Sequence, residues 1–124
     1  MSVLSIIRGD DYTAARRLTV LVTDPDNADA PVDLTGTALA FMVKLRPVDA
    51  DDDALISKAT GGDGITLANQ TTDPGEALIA IAAADTDALA AGLFWWELQG
   101  TDGTGVITLA SGRFAIGADL IREA

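Results

Sequence analysis

Residues 93–116 decide the fold, and they read LFWWELQG (93–100), TDGTG (101–105) and VITLASGRFAI (106–116). Aromatic and β-branched residues stand on both sides of a short stretch rich in glycine, which is typical of two strands joined by a turn. Strand alternation places Trp95 on one face of the first strand and leaves it as the large apolar side chain available to a partner. The opposite face, which we expect in the core, comprises Phe94, Trp96 and Leu98.

Short apolar runs recur along the rest of the chain and indicate an all-β protein, either a sandwich or a barrel. Strands are predicted at residues 3–7, 18–22, 37–45, 54–58, 65–67, 77–82, 93–99, 106–110 and 113–116. Alternation is clearest in the third of these strands, whose predicted core face comprises Leu39, Phe41, Val43 and Leu45. Turns are predicted where Gly, Pro and Asp cluster, at residues 24–27, 61–64, 73–75 and 102–105.

One segment, residues 83–92, departs from the strand pattern. It contains good helix formers, with Asp85 or Thr86 as the predicted N-cap and Gly92 as the residue that ends the helix. We therefore expect one short helical crossover in an otherwise antiparallel β protein. A chain of 124 residues has the usual size of one domain, so residues 1–124 are predicted to form a single domain.

Composition excludes several classes of function. The net charge of −11 repels a phosphate backbone, so we expect no nucleic-acid partner. The chain has no Cys and no His, which excludes thiolate chemistry, Cys-ligated zinc and the usual general base near neutral pH. No pair of carboxylates forms a recognisable catalytic pattern, and most Asp residues lie in turns. We predict no enzymatic activity, no catalytic residue and no cofactor.

The start of the chain gives no sign of export or membrane insertion. Its short apolar run is followed at once by Arg8 and lacks a basic region before it, unlike a signal peptide. No window approaches the roughly 18 apolar residues that a membrane span needs. We expect synthesis and folding in the cytoplasm.

The acidic loop at residues 49–53 has carboxylates at a spacing that resembles a calcium loop. It departs from the EF-hand pattern, because Ala54 stands where the turn glycine belongs and Thr60 stands where the closing glutamate belongs. We therefore predict a solvated loop without a metal, and assign its carboxylates to partner binding together with Trp95. These carboxylates are Asp51, Asp52 and Asp53.

Two interpretations of Trp95 remain open. A tryptophan on the outward face of a strand can stack on a sugar or anchor a protein interface. Alternatively, the predicted helix at residues 83–92 covers this face, and Trp95 has only a structural role.

An ordered set of motifs resembles the immunoglobulin-like N-terminal domain of bacteriophage baseplate upper proteins and related small phage tail proteins. The resemblance spans nearly the whole chain. Its elements, in order, are RGD (8–10), PVDLTG (31–36) before LAFMVK (39–44), ISK (56–58), GIT (64–66), GEALIAI (75–81), Asp85-Thr86 with Leu89 and Gly92, the aromatic strand ending in Glu97-Leu98, Asp102-Gly103, Thr108-Leu109 and GRF (112–114).

This resemblance implies an immunoglobulin-like β-sandwich that serves as a structural or assembly protein of a phage or prophage-derived tail or baseplate. It further implies localisation in the virion, a multimeric state, and other tail or baseplate proteins as partners. The alternative function is a carbohydrate-binding or host-adhesion module that uses an exposed Trp95.

Overall fold

The computed structural model describes residues 2–13, 16–24, 27–46 and 54–118, and strands dominate this part of the chain. The strands are β1 (Ser2–Ile7), β2 (Leu18–Leu21), β3 (Thr23–Asp24), β4 (Asn27–Pro31), β5 (Ala38–Lys44), β6 (Ile56–Ala59), β7 (Ile65–Leu67), β8 (Glu76–Ile79), β9 (Gly92–Asp102) and β10 (Gly105–Gly117). A single turn of helix, α1 (Ala83–Thr86), lies between β8 and β9. The all-β class is confirmed.

Two sheets supply the core. The larger has the strand order β1-β10-β9-β5-β6, and the smaller has the order β2-β8-β7. Buried apolar side chains of both sheets form one cluster, so the sheets pack against each other. The small β3–β4 hairpin lies in the connection between β2 and β5, where the sequence predicted only a turn at residues 24–27.

The core contains the side chains that alternation predicts, with one exception. Phe94, Trp96 and Leu98 are buried, and the ring of Phe41 stacks on that of Trp96 with 5.9 Å between centroids. Leu39 and Val43 are buried with them. The prediction for Leu45 is wrong: this side chain is exposed, because β5 ends one residue earlier at Lys44 and its pairing with β9 ends there too.

β10 is one long strand, where the sequence predicted two separate strands at residues 106–110 and 113–116. The register against β9 shifts between Thr108 and Ala110, so that Leu109 is an extra residue in the ladder. Such a bulge changes the phase of alternation. Ile107 and Phe114 are seven residues apart and would point to opposite faces of a regular strand. With the bulge between them, they point to the same face.

The helix is shorter than predicted and begins earlier. Its N-cap is Ala82 rather than Asp85 or Thr86, and the Oδ2 atom of Asp85 accepts a hydrogen bond from the Ala82 N–H at 2.8 Å. Gly92 opens β9 instead of ending the helix. Thr86 is buried, and its hydroxyl accepts a hydrogen bond from the Gly9 N–H at 2.9 Å.

One pairing departs from the expected antiparallel arrangement. β1 runs parallel to β10, with Ser2 opposite Gly112 and Ile7 opposite Gly117. The other strand pairs of the described residues are antiparallel. The turn out of β1 needs a positive φ of 80° at Gly9, which glycine adopts without a steric penalty.

Candidate binding surface

Alternation along β9 determines which side chains reach the outer face of the larger sheet. Because Phe94 and Trp96 point into the core, Trp95 points outward and is half-buried between neighbouring strands. The register places Lys44 of β5 on one side of Trp95 and Arg113 of β10 on the other. Trp95 therefore lies between two cationic residues, although the chain as a whole is strongly acidic.

Arg113 covers one face of the Trp95 ring. The guanidinium carbon lies 4.0 Å from the ring centroid, within the range of a cation–π contact. The Nε atom of Arg113 also donates a hydrogen bond to the Phe94 carbonyl oxygen at 3.1 Å. This second contact fixes the guanidinium over the ring, so the two side chains form one unit across β9 and β10.

Polar groups continue along the same face beyond Trp95. The Nε2 atom of Gln99 donates to the Oε1 atom of Glu97 at 2.9 Å, and the Thr108 hydroxyl donates to the same oxygen at 3.4 Å. A depression of about 250 Å³ lies on this outer face, over β5, β9 and β10. Its lining includes Ala40, Met42, Lys44, Trp95, Gln99 and Ser111. The surface combines one aromatic ring with several hydrogen-bonding groups.

Of the two interpretations of Trp95 that the sequence left open, the structure does not support a helical cover. Lys58 stands opposite Phe41 in the β5–β6 pair, and Phe41 points into the core, so Lys58 lies on the inner side of the sheet. Its ammonium group is 2.8 Å from the carboxylate of Asp85 on α1. The helix therefore packs on the side opposite Trp95, and Arg113 covers the indole instead.

A second depression, of about 500 Å³, lies at the end of the molecule where the β9–β10 hairpin turns. It is bounded by that hairpin and by the connection between β2 and β5. Asp33 and Asp102 both line it, one from each side. Each carboxylate opens an Asp-x-Thr-Gly sequence, at residues 33–36 and 102–105.

The two Asp-x-Thr-Gly turns have the same hydrogen bonds. In each, Oδ1 of the aspartate accepts from the threonine hydroxyl at 2.6 Å and from the threonine N–H, at 2.9 Å for Asp33 and 2.8 Å for Asp102. These bonds hold the pKa of both carboxyls below the usual value, and the bond from the threonine hydroxyl has the largest effect. Both aspartates stabilise turns, and each carries its charge at the edge of the second depression.

The predicted site residues are not brought together within the described structure. Trp95 lies on the outer face of the sheet, whereas Asp51, Asp52 and Asp53 fall outside the described residues. Among the residues that the structure describes, no three Asp or Glu side chains are grouped as a metal site would need. Arg113 was not predicted as part of the site, because its position opposite Trp95 depends on the bulge at Leu109 as well as on the turn of the hairpin.

No protein-family model matches this sequence, and no curated protein sequence matches it. In the described part of the chain, no helix has the length and apolar character that crossing a membrane requires.

Proposed function

We propose that this chain is a non-enzymatic structural or assembly protein of a bacteriophage or prophage-derived tail or baseplate, and that it acts through protein contacts in a multimeric virion. Support comes from the ordered motifs of the sequence and from the apolar side chains on the surface. The observation that carries the proposal is the exposure of large apolar residues at the hairpin tip and on the outer sheet face. These residues are Val3, Ile7, Leu93, Val106 and Ile107.

Such exposure is typical of an interaction surface. Val106 and Ile107 are neighbours and are 64% and 59% exposed. Leu93 and Val3 lie on the same outer face as Trp95, two strands from each other. A virion subunit needs repeated contacts with neighbours, and exposed apolar residues flanked by polar groups provide them. The negative charge of the chain favours a basic patch on the neighbouring protein.

The proposal includes an immunoglobulin-like fold, which the strand order supports. In variable-type immunoglobulin domains, strands G, F, C and C′ belong to one sheet and strands B, E and D to the other. Here β10, β9, β5 and β6 are neighbours in that order, and β2, β8 and β7 form the opposing sheet. The order along the chain also agrees, with β2 as B and β10 as G. The β3–β4 hairpin is an insertion between B and C.

Mass spectrometry of purified particles tests the proposal. Particles induced from the strain that encodes the chain are digested with trypsin and analysed together with known minor tail proteins as an internal control. We expect peptides of this chain at a level comparable with those proteins. Detection of the other minor tail proteins without this chain would refute a virion role.

A second candidate function is carbohydrate binding or host adhesion at Trp95. The observation that favours it is the depression of about 250 Å³, whose lining includes Trp95, Lys44 and Gln99. Amphipathic aromatic rings and amide groups are suited to sugar rings. Glycan-array binding by the wild type, lost in Trp95→Ala and retained in Leu93→Ala, would support this function. If the wild type bound no glycan on the array, those glycans would be excluded as ligands of this protein.

A further inference from the structure

The two edges of β10 are paired to different extents. On one side β9 pairs with it from Gly105 to Ile116. On the other side the described pairing with β1 runs from Gly112, opposite Ser2, to Gly117, opposite Ile7. Within the described residues, no strand pairs with this side of β10 at residues 105–111, which we term the open edge.

The open edge presents backbone and apolar groups to solvent. Residues 105–108 are exposed, and Val106 and Ile107 point to opposite faces of the strand. Among the residues that the structure describes, no backbone–backbone hydrogen bond outside the strand pairs involves residues 105–111. An unpaired edge with exposed N–H and C=O groups is a template for another strand. It has a bulge at Leu109 but none of the lysines or prolines that commonly protect such edges.

Charge indicates which strand can pair there. From Gly105 to Gly112 the sequence has no charged side chain, in a chain whose net charge is −11. Two copies of the open edge can therefore approach without opposing carboxylates. The segment is flanked by Asp102 at one end and Arg113 at the other. An antiparallel arrangement brings the acidic end of each copy toward the basic end of the second copy.

We propose that the open edge pairs with the open edge of a second copy of this chain, antiparallel and related by a two-fold axis. A two-fold axis makes the same surface serve both subunits, so no further binding site is required. The contact spans the seven residues 105–111 of each copy and is smaller than the interface of a permanent dimer. It is a weak contact, which repetition in an assembly strengthens. The inference rests on the proposed assembly role, since it names one contact through which subunits would associate.

Sedimentation equilibrium over a wide range of protein concentration tests the pairing. We expect a reversible monomer–dimer equilibrium for the wild type. The double variant Val106→Lys, Ile107→Lys should weaken dimerisation by roughly tenfold or more, because the two copies would bring four like charges into one short contact. Both side chains are more than half exposed, so the fold should be retained and is checked by circular dichroism. The matched control is Leu45→Lys, at an exposed apolar residue outside both the open edge and the proposed contact surface, and it should dimerise like the wild type.

Amide hydrogen exchange of the wild type locates the contact without a substitution. Exchange at residues 105–111 should slow as protein concentration rises, while exchange in the exposed turn at residues 61–64 should not change. A wild type that stays monomeric, or a double variant that dimerises as strongly as the wild type, would overturn the inference. Slow exchange that requires another virion protein would also overturn it, in favour of a different occupant. None of these results depends on detecting the chain in particles, so the failure of this contact is distinguishable from the failure of the virion role.

Discussion

The guanidinium of Arg113 lies over the Trp95 indole with its central carbon 4.0 Å from the ring centroid, and its Nε atom donates a hydrogen bond to the Phe94 carbonyl oxygen. The chain has only two tryptophans, and the second, Trp96, is buried. Indole fluorescence can therefore separate an accessible ring from an inaccessible one. This contact also determines what the outer face of the sheet offers to a partner.

Removal of the guanidinium should expose Trp95. In Arg113→Ala we expect greater quenching of tryptophan fluorescence by acrylamide, and a loss of unfolding free energy of about 0.5–1 kcal/mol, typical of a cation–π contact at a partly exposed site. Arg113→Lys is the matched variant, since it keeps the charge but lacks the planar group that covers the ring. Unchanged quenching in Arg113→Ala would contradict the stacked arrangement.

The two Asp-x-Thr-Gly turns should respond to pH in the same way. Thr104→Val removes the hydroxyl bond to Asp102, so the pKa of Asp102 should rise toward the usual 3.8. In the wild type the folded pKa lies below the unfolded value, so the bond stabilises the folded state above about pH 4, and this contribution is lost as pH falls through the folded pKa.

Carboxyl carbon chemical shifts measured by NMR between acidic and neutral pH report these pKa values directly. Asp33 is the internal control in Thr104→Val, because its own partner, Thr35, is unchanged. Thr35→Val should give the converse result. Equal pKa values of Asp102 in the wild type and in Thr104→Val would show that the hydroxyl bond does not lower it.

Gln70 should be a principal stabilising residue at the hairpin end of the molecule. Its Oε1 atom accepts from the N–H groups of Leu34 at 3.0 Å and Gly75 at 2.9 Å, and its Nε2 atom donates to the carbonyls of Ala68 and Glu76. Gln70→Ala removes all four bonds. The Glu76 carbonyl keeps a second bond from the Ala68 N–H at 3.1 Å, whereas the N–H groups of Leu34 and Gly75 lose the amide oxygen that they share. We expect a loss of about 1–3 kcal/mol in urea unfolding.

Gln99→Ala is the matched control for Gln70→Ala. Gln99 is exposed, and its amide contacts the side chain of Glu97. The expected change in unfolding free energy is within about 0.5 kcal/mol. If the two alanine variants unfolded at the same urea concentration, the bridging role of Gln70 would be refuted.

Gly75 and Gly103 allow a comparison of two glycines in turns. Gly75 has a φ of 83°, and a Cβ atom there would lie 2.5 Å from the Val22 carbonyl oxygen, which accepts a hydrogen bond from Val32. Gly75→Ala should therefore destabilise the fold by more than about 1 kcal/mol. At Gly103 an added Cβ meets nothing within 4 Å, and Gly103→Ala should change stability little. Thermal unfolding of both variants checks this difference.

Alternation was enough to predict the all-β class and most of the core. The burial of Phe41 and Leu98 could be predicted because successive side chains of a strand point to opposite faces, and each strand shows this alternation in its own sequence. Leu45 was mispredicted because β5 ends at Lys44, opposite Trp95, although β9 continues to Gly92, and no local pattern records where this pairing ends. The continuity of β10 was missed for a related reason: the bulge at Leu109 breaks the period of two on which the prediction depended.

The surroundings of Trp95 depended on long-range placement. The sequence predicted that Trp95 would point outward, and left open whether a helix covered it. The ion pair between Lys58 and Asp85 places the helix on the inner side of the sheet, away from Trp95, and these two residues are far apart in the chain. The partner Arg113 required the hairpin register, which depends on the turn length and on the bulge together.

The parallel pairing of β1 with β10 has a consequence for biosynthesis. Ser2 pairs with Gly112, so the first strand leaves the ribosome more than a hundred residues before its partner strand is made. Until then β1, with the exposed Val3 and Ile7, has no hydrogen-bonding neighbour from the larger sheet. Contacts between residues so distant in the chain slow folding. The pairing of β1 with β10, which is synthesised more than a hundred residues later, is therefore expected to be a late step of folding.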